Sequence, residues 1–298
     1  MFKSKTVLVT GASRGIGWLT TKSLAKAGHN VFAAMRNVQG RNEAVARDLT
    51  AWATENDLMI KTVDMDVTDE ASVNAAIQSV ETLRPIDVLV NNAGIMPTGL
   101  TEAFTLDQIK ACFDVNLLGS VRTCRAVLPY MRDRNSGLLI HISSTAGRLA
   151  IPCFGIYCAS KWALEAYAES LHYELAAFGI ESILVEPGGH GTDLVKTAPT
   201  PADQDCLTAY GTLAESRDKL LGMFEAMFAA GENITDAQNV GDKICDLITM
   251  TSPRPIRTTV GHDMGLNQIN ESVIPVQAEL IKSLQPYVGT AIDYRQIA

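Results

Sequence analysis

A tyrosine and a lysine stand four residues apart in the segment Tyr157-Cys-Ala-Ser-Lys161. On a helix, positions i and i+4 share one face, so the phenol and the ammonium group would lie together. A free tyrosine has a pKa near ~10, and a neighbouring ammonium group lowers that pKa towards neutrality. Such a pair could exchange a proton with a substrate oxygen. The spacing alone is a weak signal, because it also arises by chance.

Ser143 ends, and Ser144 follows, a largely apolar run at residues 138–143, which is typical of a buried strand. Ligands of open α/β sheets lie beyond the carboxyl ends of the strands. Ser144, thirteen positions before Tyr157, could therefore meet the phenol on one substrate oxygen. The alternative is that Ser143 and Ser144 only form a turn or a helix cap.

A glycine-rich segment, Gly11-Ala-Ser-Arg-Gly15-Ile-Gly17, lies between a predicted strand and a predicted helix. Glycines permit a tight turn and let a pyrophosphate approach the helix N-terminus, whose free N–H groups favour anions. The spacing is G-x-x-x-G-x-G rather than G-x-G-x-x-G, and a plain glycine-rich turn is the alternative. The strand–turn–helix context favours a dinucleotide site.

The stretch after this helix suggests which dinucleotide binds. Folds that select NAD place an acidic residue about 20 residues after the glycines, where it holds the ribose 2′-hydroxyl. Here no acidic residue occurs between Gly17 and Glu43. Arg14 and Arg36 could instead grip a 2′-phosphate with permanently charged guanidinium groups. The sequence therefore predicts NADP(H) rather than NAD(H), with a solvated loop arginine as the alternative.

The elements that must position these segments alternate along the chain up to Pro187. Strands are predicted at residues 6–10, 31–35, 59–63, 86–90, 138–143 and 180–186, and helices at 15–27, 41–55, 70–83, 106–134 and 157–178. Any break in the fourth helix is expected at Pro129. Apolar strands separated by helices indicate an α/β fold with a doubly wound, Rossmann-like parallel sheet.

Beyond Pro187 the alternation stops. We expect a helical stretch at residues 203–230, a helix at 235–250 capped by Thr235 or Asp236, and an edge strand at 257–260, whereas residues 262–298 are weakly patterned. We therefore expect a single domain. Residues 1–192 would be its dinucleotide-binding and catalytic core, and residues 193–298 a helical, substrate-binding elaboration.

Composition excludes several classes of protein. With 298 residues and 47% hydrophobic content, the chain can bury a large core and is not disordered. The net charge of −8 argues against a nucleic-acid partner, and no apolar run is long enough to predict a membrane span or a signal peptide. Six sparse cysteines without metal-ligand spacing predict reduced thiols in a cytoplasmic protein and no metal site.

These segments together resemble the short-chain dehydrogenase/reductase family over residues 5–195. Further motifs that carry the resemblance are Asp64-Met-Asp66-Val67, Asn91-Asn92-Ala93-Gly94, Asn116 in Val-Asn-Leu-Leu-Gly, and Pro187-Gly188-x-x-x-Thr192. Each motif alone is a weak indicator of the family, but their order and their positions at strand ends make the combination specific for it.

The resemblance implies an oxidoreductase that moves a hydride between the nicotinamide and a carbonyl or secondary alcohol carbon. Tyr157 would be the general acid in reduction and the base in oxidation, and Ser144 would hydrogen-bond the carbonyl oxygen. Lys161 would lower the pKa of the tyrosine and bind the nicotinamide ribose. Asn116 would hold a water of a proton relay.

The resemblance also implies which residues bind the cofactor. The glycine segment would hold the diphosphate, Asp66 and Val67 the adenine, Asn92 and Gly94 the adenosine ribose and diphosphate side, and the Pro187 motif the nicotinamide end. Together with the two arginines, the expected set is Gly11, Ser13, Arg14, Gly15, Ile16, Gly17, Arg36, Asp66, Val67, Asn92, Ala93, Gly94, Tyr157, Lys161, Pro187, Gly188 and Thr192.

The substrate side is less defined. His190 could reach the cofactor or substrate, or face solvent. Met223 with Met227, and Phe224 with Phe228, have i, i+4 spacing and could line an apolar pocket or serve core packing or a subunit contact. The long tail is similar to that of family members acting on apolar ketones and alcohols such as steroids, retinoids or polyketides.

Two alternatives to this enzyme remain. A non-catalytic dinucleotide-binding redox sensor or scaffold would keep the glycines without needing Asn116, Ser144, Tyr157 and Lys161 together. A dehydratase or epimerase with a tightly held cofactor is disfavoured by the glycine spacing. The helices at 106–134 and 157–178 pair across a two-fold axis in the family, so we expect a homodimer or homotetramer.

Overall fold

The computed structural model describes residues 4–229 and 235–288, and it contains one seven-stranded parallel sheet. The strands are β1 (Thr6–Thr10), β2 (Asn30–Met35), β3 (Ile60–Asp64), β4 (Val88–Asn91), β5 (Gly137–Ile142), β6 (Ile180–Pro187) and β7 (Arg257–Val260). Their order is β3-β2-β1-β4-β5-β6-β7, and every neighbouring pair is parallel. The predicted doubly wound sheet is confirmed, with strand ends displaced by at most two residues.

Helices cover both faces of the sheet. They are α1 (Gly15–Lys26), α2 (Glu43–Glu55), α3 (Glu70–Leu83), α4 (Leu106–Phe113), α5 (Gly119–Asp133), α6 (Gly155–Leu175), α7 (Asp193–Lys196), α8 (Gln204–Ala209), α9 (Ser216–Ala229), α10 (Gln238–Thr249) and α11 (Leu266–Val288). In β1, Val7 and Val9 pack on the face that α1, α2 and α10 cover, while Leu8 points to the face of α3, α5 and α6. This alternation follows from the pleat of a strand.

The predicted helical stretch at 106–134 is found from Leu106 to Asp133, but the break expected at Pro129 is not. A π-helical turn, Asp114–Leu118, joins α4 to α5, and Pro129 lies inside α5. Proline removes only one helical hydrogen bond, and the buried Val127, Leu128 and Met131 hold that turn against the sheet. The wider π turn carries Asn116, and such turns are frequent at functional sites.

The region after β6 also differs from expectation. The predicted helix at 203–230 is divided into α8, a 3₁₀ turn and α9, because Gly211 takes the left-handed conformation at φ +55°. Asp236 caps the predicted helix at 235–250, with its carboxylate accepting from the Gln238 N–H at 2.9 Å. The weakly patterned segment contains α11, and residues 1–3, 230–234 and 289–298 lie outside the described residues.

The sheet topology creates the place where ligands bind in such folds. The chain winds outward in one direction from β1 to β3 and in the other from β4 to β7, so β1 and β4 meet at a topological switch point. The loops after β1, β4, β5 and β6 all leave the same edge of the sheet, where a crevice is expected. Within the described ranges, no helix has the length and apolar character that crossing a membrane requires.

Candidate active site

A cavity of about 920 Å³ opens at this edge of the sheet. Its volume is at the upper end of the ~300–1,000 Å³ range of small-molecule sites, which suits a large cofactor together with a substrate. Apart from Asn116, which lies behind the wall, every residue expected to act in catalysis or cofactor binding lines it. The lining includes Gly11, Ser13, Arg14, Gly15, Ile16, Gly17, Arg36, Asp66, Val67, Asn92, Ala93, Gly94, Ser144, Tyr157, Lys161, Pro187, Gly188 and Thr192.

The glycine segment turns tightly between β1 and α1. Gly11 has φ +65°, and a Cβ there would lie 2.8 Å from the Ala93 Cα. A Cβ on Gly17 would collide with the Asn92 amide, which itself donates to the Thr10 carbonyl at 2.9 Å. No side chain caps the N-terminus of α1. The segment therefore forms a close-packed cradle whose free N–H groups fit the diphosphate of a dinucleotide.

Charged groups surround the end of the cavity next to β2 and β3. Arg36 is half exposed, and its Nη1 lies 3.8 Å from Oδ2 of Asp66. Partial burial alone would raise the pKa of Asp66, but hydrogen bonds from Thr68 and the Arg36 guanidinium lower it. Arg14 donates to Thr197 Oγ1 at 3.1 Å. Both arginines line the cavity and could bind an anionic group there, although Asp66 would compete with that group for Arg36.

Ser144 and Tyr157 both line the cavity, Ser144 from the segment after β5 and Tyr157 from the first turn of α6. Ser144 follows the end of β5, and its Oγ accepts from the Ala146 N–H at 3.2 Å. Tyr157 and Lys161 share one face of the first turns of α6, with Lys161 Nζ 5.8 Å from the centre of the phenol ring. Lys161 Nζ donates to the Ile142 carbonyl at 2.7 Å. The lysine is therefore anchored to the end of β5.

Burial dominates the protonation of this pair. It raises the pKa of Tyr157 above its ordinary value, and the Ser144 hydroxyl acts in the opposite direction. Burial lowers the pKa of Lys161 to about 8, whereas Cys112 and Glu165 act to raise it. The expected lowering of the tyrosine pKa by Lys161 is not found here, because desolvation of the phenolate outweighs it and the ammonium group is directed at a backbone carbonyl.

Asn116 acts from behind the cavity wall. Its Oδ1 accepts from the Ile95 N–H at 2.8 Å, and its Nδ2 donates to the Ile95 carbonyl at 2.9 Å and to Ser160 Oγ at 2.9 Å. Ser160 in turn donates to the Tyr157 carbonyl at 2.7 Å. The π turn therefore joins the loop after β4 to the first turn of α6.

The loop after β6 forms the other end of the cavity. A Cβ on Gly188 would collide with the backbone oxygen of His262, so the glycine permits a close approach of two loops. Thr192 caps α7 through its hydroxyl, which accepts from the Leu194 N–H. His190 is buried, with Nδ1 3.0 Å from the Gly188 carbonyl. Of the two alternatives for His190, exposure to solvent is wrong, because the side chain is buried and lines the cavity.

Aromatic side chains form the apolar wall next to Tyr157. The ring centre of Phe154 lies 6.0 Å from that of Phe224 in an edge-to-face contact, and Phe224 stacks on Phe228 at 6.2 Å. Both members of the phenylalanine pair line the cavity, whereas Met223 is 55% exposed. The two phenylalanines therefore face the cavity, while Met223 lies on the outer side of α9.

Several lining residues have no signal in the sequence pattern. Arg41 and Asn42 follow β2, and Asn42 Nδ2 donates to the Arg36 carbonyl at 2.6 Å. Met96 and Met264 come from loops that reach the cavity only through the tertiary fold. The local excess of basic residues could have indicated Arg41, but nothing local indicates the two methionines.

A sequence model described as short chain dehydrogenase matches residues 5–203. The chain belongs to this family. A YusZ oxidoreductase of Bacillus subtilis is 33% identical over 279 residues, 92% of this chain and 95% of that protein. A 3-ketodihydrosphingosine reductase of Bacteroides thetaiotaomicron is 32% identical, covering 86% of this chain and 87% of that protein. The human 17-beta-hydroxysteroid dehydrogenase type 1 is 39% identical, covering 61% and 56%.

Solved structures of the same family are similar over most of the chain. A short-chain dehydrogenase of Streptomyces avermitilis superposes with a TM-score of 0.73 at 28% identity, covering 95% of this chain and 97% of its own. A gluconate 5-dehydrogenase of Burkholderia cenocepacia, with NADP and tartrate, gives 0.60 at 33% identity, covering 64% and 73%. A short-chain dehydrogenase/reductase from Burkholderia phymatum, in complex with NAD, gives a TM-score of 0.75 at 22% identity, covering 93% of this chain and 96% of its own, and shares the fold. The chain is an oxidoreductase of this family that acts on hydroxyl or keto groups.

Proposed function

We propose that the protein transfers a hydride between NADP(H) and a carbonyl or secondary alcohol carbon, with Tyr157 as the general acid and base. One observation carries the proposal: Ser144, Tyr157 and Lys161 share a cavity with the glycine cradle and two arginines. Residues 193–298 would complete the substrate side of the same domain.

The cofactor would lie along the whole cavity. The N–H groups of α1 and the glycine segment would hold the diphosphate, while Arg14 and Arg36 would bind the 2′-phosphate. Lys161 would hold the nicotinamide ribose, and Pro187, Gly188 and Thr192 would contact the nicotinamide end. When bound, the nicotinamide would supply or accept the hydride.

The chain's own groups would handle the oxygen and the proton. The Ser144 hydroxyl and the Tyr157 phenol would donate hydrogen bonds to a substrate carbonyl oxygen, which becomes negative as hydride arrives. Since burial raises the pKa of Tyr157, the phenol carries its proton at neutral pH and can deliver it to that oxygen. Asn116 would hold the water that returns a proton past Lys161.

The preference for NADP(H) is supported by the charges near the 2′-position. No carboxylate follows β2 directly, and Arg36 stands there with Arg14 and Arg41 also in the lining. The gluconate dehydrogenase at 33% identity carries NADP in its structure. Asp66, which pairs with Arg36, is the feature that weakens the preference.

The substrate would be an apolar ketone or alcohol of steroid, retinoid or polyketide type. Phe154, Phe224, Phe228 and Met96 line the cavity next to Tyr157 and offer aromatic and thioether surface. The substrates named for two relatives, 3-ketodihydrosphingosine and 17-beta-hydroxysteroids, support a bulky apolar substrate.

A homodimer or homotetramer in the cytoplasm remains a prediction. Trp162 on α6 is 49% exposed and Leu118 beside α5 is exposed, which supports pairing of the two helices. Light scattering at micromolar concentration would measure the mass, and a strictly monomeric mass would contradict the pairing.

Consumption of NADPH with a panel of ketones tests the proposed function. We expect kcat/KM to be higher for 1-tetralone and 2-decanone than for acetoacetate, and higher with NADPH than with NADH. Tight NADPH binding without turnover of any carbonyl in the panel would favour the sensor or scaffold instead. Equal efficiency with both nucleotides would contradict the cofactor preference.

A further inference from the structure

A buried group of charged side chains lies directly behind the active-site wall. Arg257 of β7 donates from Nε to Glu165 Oε2 at 2.9 Å and from Nη2 to Glu169 Oε2 at 2.5 Å. Glu186 Oε1 at the end of β6 lies 3.7 Å from the same Nε. One guanidinium group therefore faces three carboxyl groups, and all four side chains are largely buried. We call these four residues the glutamate cluster.

The glutamate cluster adjoins three segments of the active site. Glu165 lies one helical turn after Lys161, and Glu186 immediately precedes Pro187. The Ser143 hydroxyl, next to Ser144, faces the Glu165 carboxylate and stabilises its ionised form. Ser143 Oγ and Glu165 Oε1 are both buried and make no direct hydrogen bond among the described residues, although both lie beside Gly147. The Glu165 carboxylate is thus a buried polar group that adjoins the unpartnered Ser143 hydroxyl.

The turn after Ser144 packs against the same contact. A Cβ on Gly147 would lie 2.5 Å from Ser143 Oγ and 3.0 Å from Glu165 Cγ. Ser144 caps this turn through the Ala146 N–H. The position of the Ser144 hydroxyl therefore depends on how closely Ser143 and Gly147 rest on Glu165.

Protonation within the cluster follows from burial and from the single guanidinium group. Burial raises the pKa of Glu165, and Arg257 and the more distant Arg148 oppose the rise. Glu169, despite its burial, has a lowered pKa because Arg257 and the Tyr173 hydroxyl bind it. Burial and the Glu165 charge raise the pKa of Glu186 to about 7, while Asn270 and Thr259 act to lower it. Glu186 is therefore the member with a pKa near neutrality, while Arg257 favours the ionised forms of Glu165 and Glu169.

A metal ion does not explain the cluster. Among the described residues, no group of three or more His, Cys, Asp or Glu side chains could hold one. Arg257 occupies the centre that a metal ion would need, and a proton on Glu186 would reduce the net charge of the four residues from −2 to −1.

We propose that Glu165 is a positioning residue for the reaction: its carboxylate, anchored by Arg257, holds the Ser143–Ser144 segment and the Lys161 ammonium group in their working geometry. The inference rests on the proposed function. Glu165 touches no reacting atom and lies outside the cavity lining. It acts through Ser143 on one side and, one turn along α6, through Lys161 on the other, whose pKa its charge raises.

The test compares E165Q, which keeps the shape but removes the charge, with E165A and with E169Q as the matched control. Glu169 binds the same guanidinium group from the same helix but lies a turn farther from Lys161. With NADPH and the better of 1-tetralone and 2-decanone, we expect kcat to fall about tenfold in E165Q and about a hundredfold in E165A. KM values should stay within about threefold. E169Q should keep kcat within about threefold of the wild-type value.

The pH profile separates positioning from a merely structural role. Without the Glu165 charge the pKa of Lys161 falls, so the alkaline limb of kcat should move to lower pH in E165Q and stay in place in E169Q. Wild-type kcat and an unshifted limb in E165Q would overturn the proposal.

A structural measurement keeps the two proposals apart. Crystal structures of wild type, E165Q and E165A should show the Ser144 hydroxyl displaced in E165A, whether or not any ketone is turned over. An unmoved Ser144 hydroxyl in E165A would overturn the positioning role. If E165A does not fold, E165Q decides: an unmoved Ser144 together with a loss of kcat equal to that of E169Q would overturn the role. Absence of NADPH binding and turnover in wild type would instead contradict the proposed function.

Discussion

Replacing Arg36 with alanine should raise the KM for NADPH and leave the KM for NADH nearly unchanged. Only NADPH carries the 2′-phosphate that the guanidinium group would bind. A hydrogen bond to a charged group contributes about 1.5–3 kcal/mol. The Arg36 side chain is 50% exposed and shares its charge with Asp66 at 3.8 Å, so solvent screening and competition place the loss at the lower end. A loss of about 1.5 kcal/mol corresponds to a roughly tenfold rise in KM.

Steady-state oxidation of NADPH and of NADH, each at low and moderate salt, measures this effect. The rise in KM should shrink as ionic strength increases, because an exposed ion pair is screened. Arg47→Ala is the matched control, since Arg47 is an exposed arginine of α2 outside the cavity. An equal change in the KM of both nucleotides, or no change in either, would refute the assignment of the 2′-phosphate to Arg36.

Three further predictions concern the framework around the site. Gly188→Ala should lower the free energy of unfolding in urea by ~1–3 kcal/mol, because the new Cβ meets the His262 oxygen, whereas Gly222→Ala, with open space around it, should not; equal losses would contradict this. Glu186 is stabilised in its protonated form, so its contribution to stability is complete below a pH of about 4.5 and is lost as the pH rises through about 7. The melting temperature of Glu186→Gln relative to wild type should therefore increase between about pH 5 and pH 8, and a difference that does not vary with pH would contradict the buried proton. Asn116→Ala should speed hydrogen exchange of the Ile95 amide, whose acceptor it removes, and unchanged exchange would exclude that contact.

The sequence predicted the part of the site that local patterns encode. The glycine segment, Ser144 and the Tyr157–Lys161 pair each follow a buried strand or begin a helix, so hydrophobic periodicity placed them at one edge of a parallel sheet. The lining of the cavity agrees with that placement. The strand order follows from right-handed crossovers between such units.

Features that depend on tertiary contacts were beyond the sequence pattern. A π turn at residues 114–118 adds one residue to a helical turn without changing the hydrophobic period enough to be noticed. Burial lowers the pKa of His190 and raises the pKa of Tyr157, and the burial of each side chain depends on the tertiary fold. The helix α11 contains Pro275 and Pro286, which mask its pattern. The carboxyl groups around Arg257 come from two elements, α6 and β6, and Arg257 itself comes from a third, β7.

The central claim is that Tyr157 gives its proton to the substrate oxygen, and Tyr157→Phe tests it most directly. Tyr167→Phe is the control, because it removes a partly buried phenol from the same helix outside the cavity. The account predicts that Tyr157→Phe lowers ketone-dependent NADPH oxidation by about a thousandfold, with the Kd for NADPH within about twofold of wild type, while Tyr167→Phe keeps its activity. Turnover by Tyr157→Phe within tenfold of the wild-type rate would contradict the assignment of the proton donor.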